Sequence, residues 1–271
     1  MPPSHIAAID AFWGAHADAG RPGARFALRR PADLVRALAA VRRLPRVDVR
    51  PSASPGGDAV RAVLRARIAP GVPGRLLGSA ALAVPEVPGA YLEGRRAQTL
   101  RRKVRAARAV GTHVEPVDCP EERQRLLDLV DRLEREHPDP VYRVDEPAND
   151  DLLDHDLWLV ARDPAGTPML LSVTPVDGEL AVLRYFRTLG YGTSHSDARY
   201  LATVELVTRL AERGVRWLLD TEPISAQTSG LRHFQKMVGF GYARFRLRRR
   251  GSRSPALPGS AGPATGRRSA T

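Results

Sequence analysis

The sequence predicts a mixed α/β fold, in which a mixed sheet is flanked by helices. From residue 113 onward, the apolar patterns follow the order strand, helix, three strands, helix, strand, helix, strand. Hairpin-type turns at 163–166 and 177–178 separate the three consecutive strands. A glycine-rich loop at 187–192 then joins the third of these strands to the next helix.

The N-terminal part of the chain has less regular patterns. Residues 4–18 and 31–43 have apolar side chains at helical spacing, and a proline opens the second segment, as is common in the first turn of a helix. The prolines, glycine pair and serines of residues 51–58 predict a loop. Strands are predicted at residues 25–28, 60–68 and 76–84, and the last two would form a hairpin.

The later segments have a more regular spacing of apolar residues. The helix predicted at 94–110 has one apolar stripe and arginines over the rest of its surface, and Gly111 is suited to end it. Residues 251–271 lack any apolar period, and we expect a disordered basic tail there. Further helices are predicted at 120–136, 197–213 and 229–238. Strands are predicted at 113–117, 157–162, 169–175, 180–186, 215–220 and 242–247.

The charge of the chain is positive and unevenly distributed. With 42 Lys and Arg against 30 Asp and Glu, the formal net charge of the 271 residues is +12. Basic residues concentrate at 95–108 and at 244–268. Such patches attract phosphates, nucleic acid or an acidic partner, although a charged helix face is also commonly just solvated. The candidate polyanion-binding residues are Arg96, Arg101, Arg102 and Arg105.

Several classes of protein are disfavoured. A single cysteine, Cys119, excludes an internal disulfide framework and a cysteine-rich zinc site, and no metal-ligand spacing is present. No apolar run has the length of a membrane span, and no basic segment followed by an apolar one opens the sequence. We therefore expect a cytoplasmic protein without a metal or a membrane partner.

The loop at 187–192 suits a phosphate. Its glycines allow a sharp turn and a close approach of backbone N–H groups to a ligand, and the following helix adds the positive end of its dipole. The motif R-x-x-G-x-G resembles the pyrophosphate loop of the GCN5-related N-acetyltransferase (GNAT) superfamily, in which this loop holds the diphosphate of coenzyme A. The resemblance implies a cofactor-binding role for Arg187, Gly190, Tyr191, Gly192 and Thr193. The alternative is an ordinary glycine-rich connection.

Other segments extend the resemblance. Residues 229–240, ending in Lys-Met-Val-Gly-Phe, resemble the late helix of the superfamily, and residues 91–107 resemble the basic helix that opens the Fem-type aminoacyltransferase branch. Residues 196–201 also fit that branch. The resemblance implies a GNAT-like domain at 90–250. Residues 1–89 are then expected to be an N-terminal half, a shortened or degenerate GNAT-like copy.

The sequence departs from the family pattern at two places. Residues 193–196 intervene between the loop and the helix predicted from Asp197, whereas the family starts this helix at the second glycine. Gln235 stands where many acetyltransferases carry a tyrosine that protonates the leaving thiolate. These departures weaken the prediction of coenzyme A binding and of that proton donor.

Acyl transfer to an amine needs a group that accepts the proton of the amine. Asp220 ends a predicted central strand and Glu222 follows it. Both are candidate catalytic residues, although acidic residues there also commonly close a strand or cap a turn. Three hypotheses follow. The first is an N-acyltransferase that moves an acyl group from acyl-coenzyme A to an amine. The second is a Fem-like aminoacyltransferase that uses aminoacyl-tRNA, and the third is a non-catalytic binding module on the same fold.

Overall fold

A computed structural model describes residues 4–20, 24–69, 72–140 and 143–248, so the predicted tail at 251–271 lies outside the described residues. The α-helices in these ranges are α1 (Ser4–Asp18), α2 (Ala24–Arg29), α3 (Pro31–Arg42), α4 (Pro55–Arg65), α5 (Gln98–Ala109), α6 (Pro120–Arg135), α7 (Thr193–Glu212) and α8 (Ser229–Met237). The first strands are β1 (Arg46–Val49), β2 (Arg67–Ala69), β3 (Val72–Pro73), β4 (Ser79–Ala83), β5 (His113–Pro116) and β6 (Leu157–Arg162). The later strands are β7 (Pro168–Thr174), β8 (Val176–Asp177), β9 (Leu180–Leu183), β10 (Tyr185–Thr188), β11 (Trp217–Asp220) and β12 (Gly241–Leu247).

Two sheets carry the fold. Six strands form a mixed sheet in the order β1-β12-β4-β11-β9-β8, and four form an antiparallel sheet in the order β10-β7-β6-β5. The parallel pairs are β1 with β12 and β9 with β11. Strand β4 lies between β12 and β11, so the N-terminal segment contributes a strand to the middle of the six-stranded sheet. This arrangement confirms the predicted mixed α/β class, whereas the division at residue 89 stays a prediction.

The helices cover both sheets. Buried Leu206, Val207 and Leu210 of α7 pack with side chains from both sheets. The apolar stripe of α5 packs on α7, as the spacing of Leu100 and Val104 predicts. Helix α6 covers the four-stranded sheet, and α4 covers one face of the six-stranded sheet. Burying these apolar surfaces is the main stabilising contribution to the fold.

The N-terminal predictions were partly wrong. Residues 25–28 lie in helix α2 rather than a strand, and residues 60–65 belong to helix α4 rather than a hairpin strand. Ser54 caps α4 by accepting a hydrogen bond from Gly57 N at 3.0 Å, and the proline that follows opens the helix. The helices predicted at 4–18 and 31–43 are confirmed as α1 and α3, and β4 confirms most of the strand predicted at 76–84. Strand β1 was not predicted.

The strand predicted at 180–186 is divided between the two sheets. Its first part, β9, pairs in parallel with β11 as far as Leu183 opposite Asp220. Its second part, β10, pairs antiparallel with β7 from Tyr185 opposite Val173. The two sheets therefore separate at Arg184, and β10 continues as an edge strand of the four-stranded sheet. The remaining helices and strands predicted after residue 94 are confirmed within a few residues at their ends.

Candidate active site

A cleft of about 370 Å³ opens where β9 and β10 separate and β11 ends. This volume falls in the range of small-molecule sites. Helices α6, α7 and α8 contribute its remaining walls. The charged and amide side chains among its lining residues are Glu134, Asn149, Arg184, Arg187, Arg199, Asp220, Glu222 and Gln235.

Asp220, a predicted catalytic residue, is the most buried acid of the cleft, with 7% of its surface exposed. The backbone N–H of Glu222 donates a 3.0 Å hydrogen bond to its Oδ1, and the Gln235 amide donates to its Oδ2. Burial raises the pKa of the Asp220 carboxyl to about 6, against the lowering effect of these hydrogen bonds. A carboxylate with that pKa can take up and release a proton near neutral pH.

Gln235 reaches Asp220 because of how α8 begins. The Thr228 hydroxyl accepts a hydrogen bond from Leu231 N and thereby caps the first turn of α8. Two turns later the same helix directs Phe234 and Gln235 inward, where both are buried. Gln235 therefore holds the Asp220 carboxylate, which is a role that the sequence did not predict.

Arg199 places a positive charge in the same cleft. Its guanidinium carbon lies 4.1 Å from the centre of the Phe234 ring, in cation–π contact. Burial lowers the pKa of the guanidinium from its ordinary value, but arginine remains charged at neutral pH. No acidic side chain among the described residues forms an ion pair with Arg199, so this cation is available to a ligand.

The opposite wall is held by Glu134, which is buried on α6. Its Oε1 accepts hydrogen bonds from the Tyr185 hydroxyl at 3.1 Å and from Arg187 Nη1 at 2.7 Å. Its Oε2 accepts one from Asn149 Nδ2 at 3.0 Å. Burial and the charge of Glu134 raise the pKa of the Tyr185 hydroxyl, which is therefore neutral. Arg187, predicted to bind a phosphate, is thus already ion-paired, although about half of its side chain is exposed.

Glu222, the other predicted catalytic residue, differs from Asp220 in its exposure. It lines the cleft but lies on the surface, and its carboxylate has no hydrogen-bond or ion-pair partner among the described side chains. Neighbouring Arg184 is half-buried, and both carboxylate oxygens of Asp151 bind it, at 2.7 and 2.8 Å. The structure thus separates one buried and one exposed acid at the end of β11.

The prediction that the helix after the loop begins near Asp197 was wrong. Helix α7 begins at Thr193, and Gly192 is its N-cap residue at φ = +103°, a conformation that favours glycine. No side chain caps the first turn, so its free N–H groups have no side-chain acceptor at the N-cap. Gly190 lies against His195, because a Cβ there would come within 2.3 Å of His195 Nε2. The expected departure from the family at this helix is therefore absent.

The loop residues do not join the cleft. Gly190, Gly192 and Thr193 lie at the start of α7, and the described lining of the cleft includes none of them. Tyr191 is exposed, and its hydroxyl lies 3.0 Å from His137 Nε2. Of the predicted cofactor-binding set, the structure brings only Arg187 to the cleft together with Asp220 and Glu222.

The predicted polyanion-binding residues lie on and just before α5. Arg96, Arg102 and Arg105 are exposed and have no acidic partner among the described residues. Arg101 instead donates to the carbonyls of Leu92 and Gly94, at 2.5 and 2.9 Å. Lys103 forms a 2.8 Å ion pair with Asp197, so α5 lies beside the first turns of α7.

Sequence reasoning missed Arg199, Glu134 and the function of Gln235. One signal was present for Arg199, because it is a charged residue among Ala198, Tyr200, Leu201 and Ala202, which are all buried. Glu134 lies in a helix rich in acidic and basic side chains, so nothing in the local pattern distinguished it.

No helix among the described residues is both long enough and apolar enough to cross a membrane. Over the same residues, no group of three or more His, Cys, Asp or Glu side chains could hold a metal.

Comparisons with known proteins add similarities of structure. No protein-family model matches the chain, and no curated protein matches its sequence. The C-terminal domain of a proposed lysylphosphatidylglycerol synthetase from Agrobacterium fabrum is 17% identical, with a TM-score of 0.44, over 61% of this chain and 58% of that one. L-PGS from Bacillus licheniformis is 14% identical, with a TM-score of 0.46, over 61% and 58%.

A conserved protein of unknown function from Bacteroides thetaiotaomicron is 16% identical, with a TM-score of 0.42, over 59% of this chain and 55% of that one. This chain therefore spans less than two thirds of each of the three similar chains. At this degree of similarity, the function has to be inferred from the cleft itself.

Proposed function

We propose that the protein is an acyltransferase that moves the aminoacyl group of an aminoacyl-tRNA to an amine acceptor in the cleft. The observation that carries this proposal is the buried Asp220 carboxylate, held by the Gln235 amide and a backbone N–H, in the same cleft as the unpaired cation of Arg199. Base and cation are the two groups that acyl transfer to an amine requires.

The cleft supplies a complete route for the proton. The amine nitrogen bonds to the carbonyl carbon of the aminoacyl ester as the amine transfers a proton to Asp220. The guanidinium of Arg199 stabilises the negative charge that develops on the carbonyl oxygen. The bond to the ribose oxygen then breaks, and Asp220 returns the proton to that leaving oxygen. Gln235 acts as a positioning residue because it touches only the carboxylate.

Glu222 has a different role in this proposal. Its exposed carboxylate has no hydrogen-bond partner to hold it in place among the described side chains, so it is less well positioned than Asp220 to act as the base. A free carboxylate at the wall of the cleft instead attracts the positively charged amino group that an aminoacyl ester carries and an acetyl group lacks.

The basic surface of α5 supports a tRNA donor. Arg96, Arg102 and Arg105 are exposed and lack acidic partners among the described residues, so phosphates can contact them without displacing a protein carboxylate. The Lys103–Asp197 ion pair places α5 beside the start of α7, a helix that also contributes Arg199 to the cleft. One RNA can therefore span both regions.

Replacing Arg96, Arg102 and Arg105 with glutamine is expected to weaken tRNA binding and to reduce its salt dependence. Each lost phosphate contact lowers the slope of log K against log salt by about 0.7–0.9. Filter binding at several salt concentrations measures both effects. The matched control replaces three exposed arginines that have acidic partners, Arg125, Arg135 and Arg216. Equal losses in the two variants would show that net charge alone matters.

Acyl-coenzyme A is a second candidate donor, favoured by one observation. Helix α7 begins directly after Gly192, and its first N–H groups have no side-chain cap. A pyrophosphate fits such a helix start, and the exposed part of Arg187 lies on the strand that leads to it.

Gly192→Asp tests this second donor. The change adds a carboxylate at the helix start, so affinity for acetyl-coenzyme A should fall at least about tenfold, or about 1.4 kcal/mol. Isothermal titration calorimetry measures this affinity. Gly178→Asp is the matched control, because Gly178 also has positive φ and open space around its Cβ position but lies in the turn before β9, at the other end of the β9–β10 segment from Gly192. If the wild type binds no coenzyme A but binds tRNA, the second donor is excluded.

A further inference from the structure

A groove of about 610 Å³ lies between α3 and the edge of the six-stranded sheet formed by β1 and β12. It shares no lining residue with the cleft. Leu38 and Val41 of α3 provide its apolar wall. Four arginines also line this arginine groove, namely Arg42, Arg46, Arg244 and Arg246.

The pairing of β1 with β12 explains why these arginines meet. The two strands are parallel, with Arg46 opposite Arg244 and Asp48 opposite Arg246. Side chains two residues apart in a strand point to the same face, so Arg244 and Arg246 both face the groove with Arg46. On the opposite face, Val49 and Phe245 pack under α4.

The positive charge of the arginine groove is not neutralised by the described residues. Asp48, the acid on the same face, binds Arg248 at 2.8 Å. That contact, together with the charges of Arg46 and Arg246, holds the pKa of Asp48 below its ordinary value. The four groove arginines have no hydrogen-bonding or ion-pairing side chain among the described residues, and the Nε of Arg244 is buried without a partner. Residues 249–271 contain no Asp or Glu that could balance them.

We infer that the arginine groove binds the phosphate backbone of RNA. Four guanidinium groups that lack acidic partners form the kind of surface that phosphates neutralise, and guanidinium geometry suits phosphate oxygens. The groove is concave and lies between a helix and a sheet edge, which suits an inserted strand better than the flat surface of a membrane. The choice of RNA among phosphate-bearing ligands rests on the aminoacyl-tRNA donor proposed above.

The position of the groove agrees with a single RNA that also reaches the cleft. In the register of the sheet, Leu218 pairs with Leu82 and Tyr242 pairs with Ala80, so Asp220 and Tyr242 share one face of the sheet. Arg244 and Arg246 follow Tyr242 on that face. Strand β12 lies two strands from β11, a lateral distance of about 10 Å. An RNA whose aminoacyl end enters the cleft therefore has phosphates within reach of the groove.

The test is the binding of uncharged total tRNA to the full chain with Arg244→Gln and Arg246→Gln combined. We expect the affinity to fall at least tenfold at physiological salt and the salt slope to decrease by about 1.4–1.8. Arg125→Gln with Arg135→Gln is the control for net charge, since both arginines are exposed on α6 with acidic partners. Thermal melting of both variants checks that each is folded.

Three outcomes separate the possibilities. Loss confined to the groove variant supports the inference. If wild type binds tRNA and the groove variant matches the control, the groove is not an RNA site, while the proposed donor stands. If wild type binds no tRNA but sediments with vesicles containing an anionic phospholipid, or binds inorganic phosphate alone, the inference and the proposed donor are both overturned. In that case, acyl transfer from coenzyme A is still open to the separate test with Gly192→Asp.

Discussion

Replacing Asp220 with asparagine is expected to slow acyl transfer by about 10²–10⁴-fold while the protein remains folded. The asparagine oxygen can still accept from the N–H of Glu222, and the Gln235 amide can turn to meet the new NH₂ group. The new side chain cannot take a proton, so only the base is lost. Single-turnover rates with a labelled donor measure the effect. Asp128→Asn, on the exposed face of α6, is the control and should transfer at the wild-type rate.

The same carboxyl predicts the pH dependence of the reaction. Because burial raises the pKa of Asp220 to about 6, the rate should rise with pH through 6 and level off above 7. The Gln235 amide lowers that pKa, so Gln235→Ala should move the midpoint to higher pH. An unchanged midpoint in the alanine variant, or an Asp220→Asn variant as fast as wild type, would remove Asp220 from the mechanism.

The raised pKa also affects stability without any substrate. The folded carboxyl binds its proton more tightly than the unfolded one, whose pKa stays near the ordinary value of 3.8. The stability that Asp220 contributes is therefore fully present below about pH 4 and is lost as the pH rises through 6. Thermal melting of wild type and Asp220→Asn should differ in this pH window.

Gly56→Ala is expected to destabilise the protein by about 3 kcal/mol, at the upper end of the cost of overpacking. A Cβ at Gly56 would lie 2.1 Å from the carbonyl oxygen of Val176, which is backbone and cannot rotate away. Helix α4 would have to move off the sheet edge at β8, and its buried Val60 and Leu64 would move with it. Urea unfolding followed by circular dichroism measures the free energy of unfolding.

Gly14→Ala is the matched control for this substitution. Gly14 also lies within a helix, but its Cβ position has no other atom within 4 Å. Alanine there should stabilise α1 by up to about 1 kcal/mol, because alanine favours a helix more than glycine does. If both variants unfold at the same urea concentration, the close approach of α4 to Val176 is absent in solution.

The sequence predicted the fold best where the local spacing of apolar side chains agrees with the burial that the tertiary structure gives them. The helices α5 and α6 have one apolar stripe each, and the structure buries those stripes. The segment of α4 misled the prediction because Gly56 and Gly57, which read as loop residues, are required by close contacts with Val176 and Ser52. Val176 lies far along the chain and Ser52 lies outside the helix, so the local sequence pattern does not reveal these contacts.

The candidate site was predictable only in part, for a similar reason. Asp220 and Glu222 could be found because acidic residues at the end of a buried strand are conspicuous in the sequence. The partners of Asp220 and Arg187 could not, because Gln235 and Glu134 reach them from helices 15 and 53 residues away. The arginine groove depends on the parallel pairing of β1 with β12, two strands that lie almost 200 residues apart in the sequence, with Arg46 opposite Arg244.

The transfer of label from a donor most directly tests the claim that the cleft is an acyltransferase site. Wild type and Asp220→Asn are each incubated with tRNA charged with labelled amino acids and, in a parallel reaction, with labelled acetyl-coenzyme A. Small-molecule and lipid extracts are added to each reaction as sources of an acceptor. We expect wild type to move label from charged tRNA to a chromatographically separable product and Asp220→Asn to leave the donor intact. If wild type releases label from neither donor faster than Asp220→Asn does, the result would contradict the assignment of an acyl-transfer function.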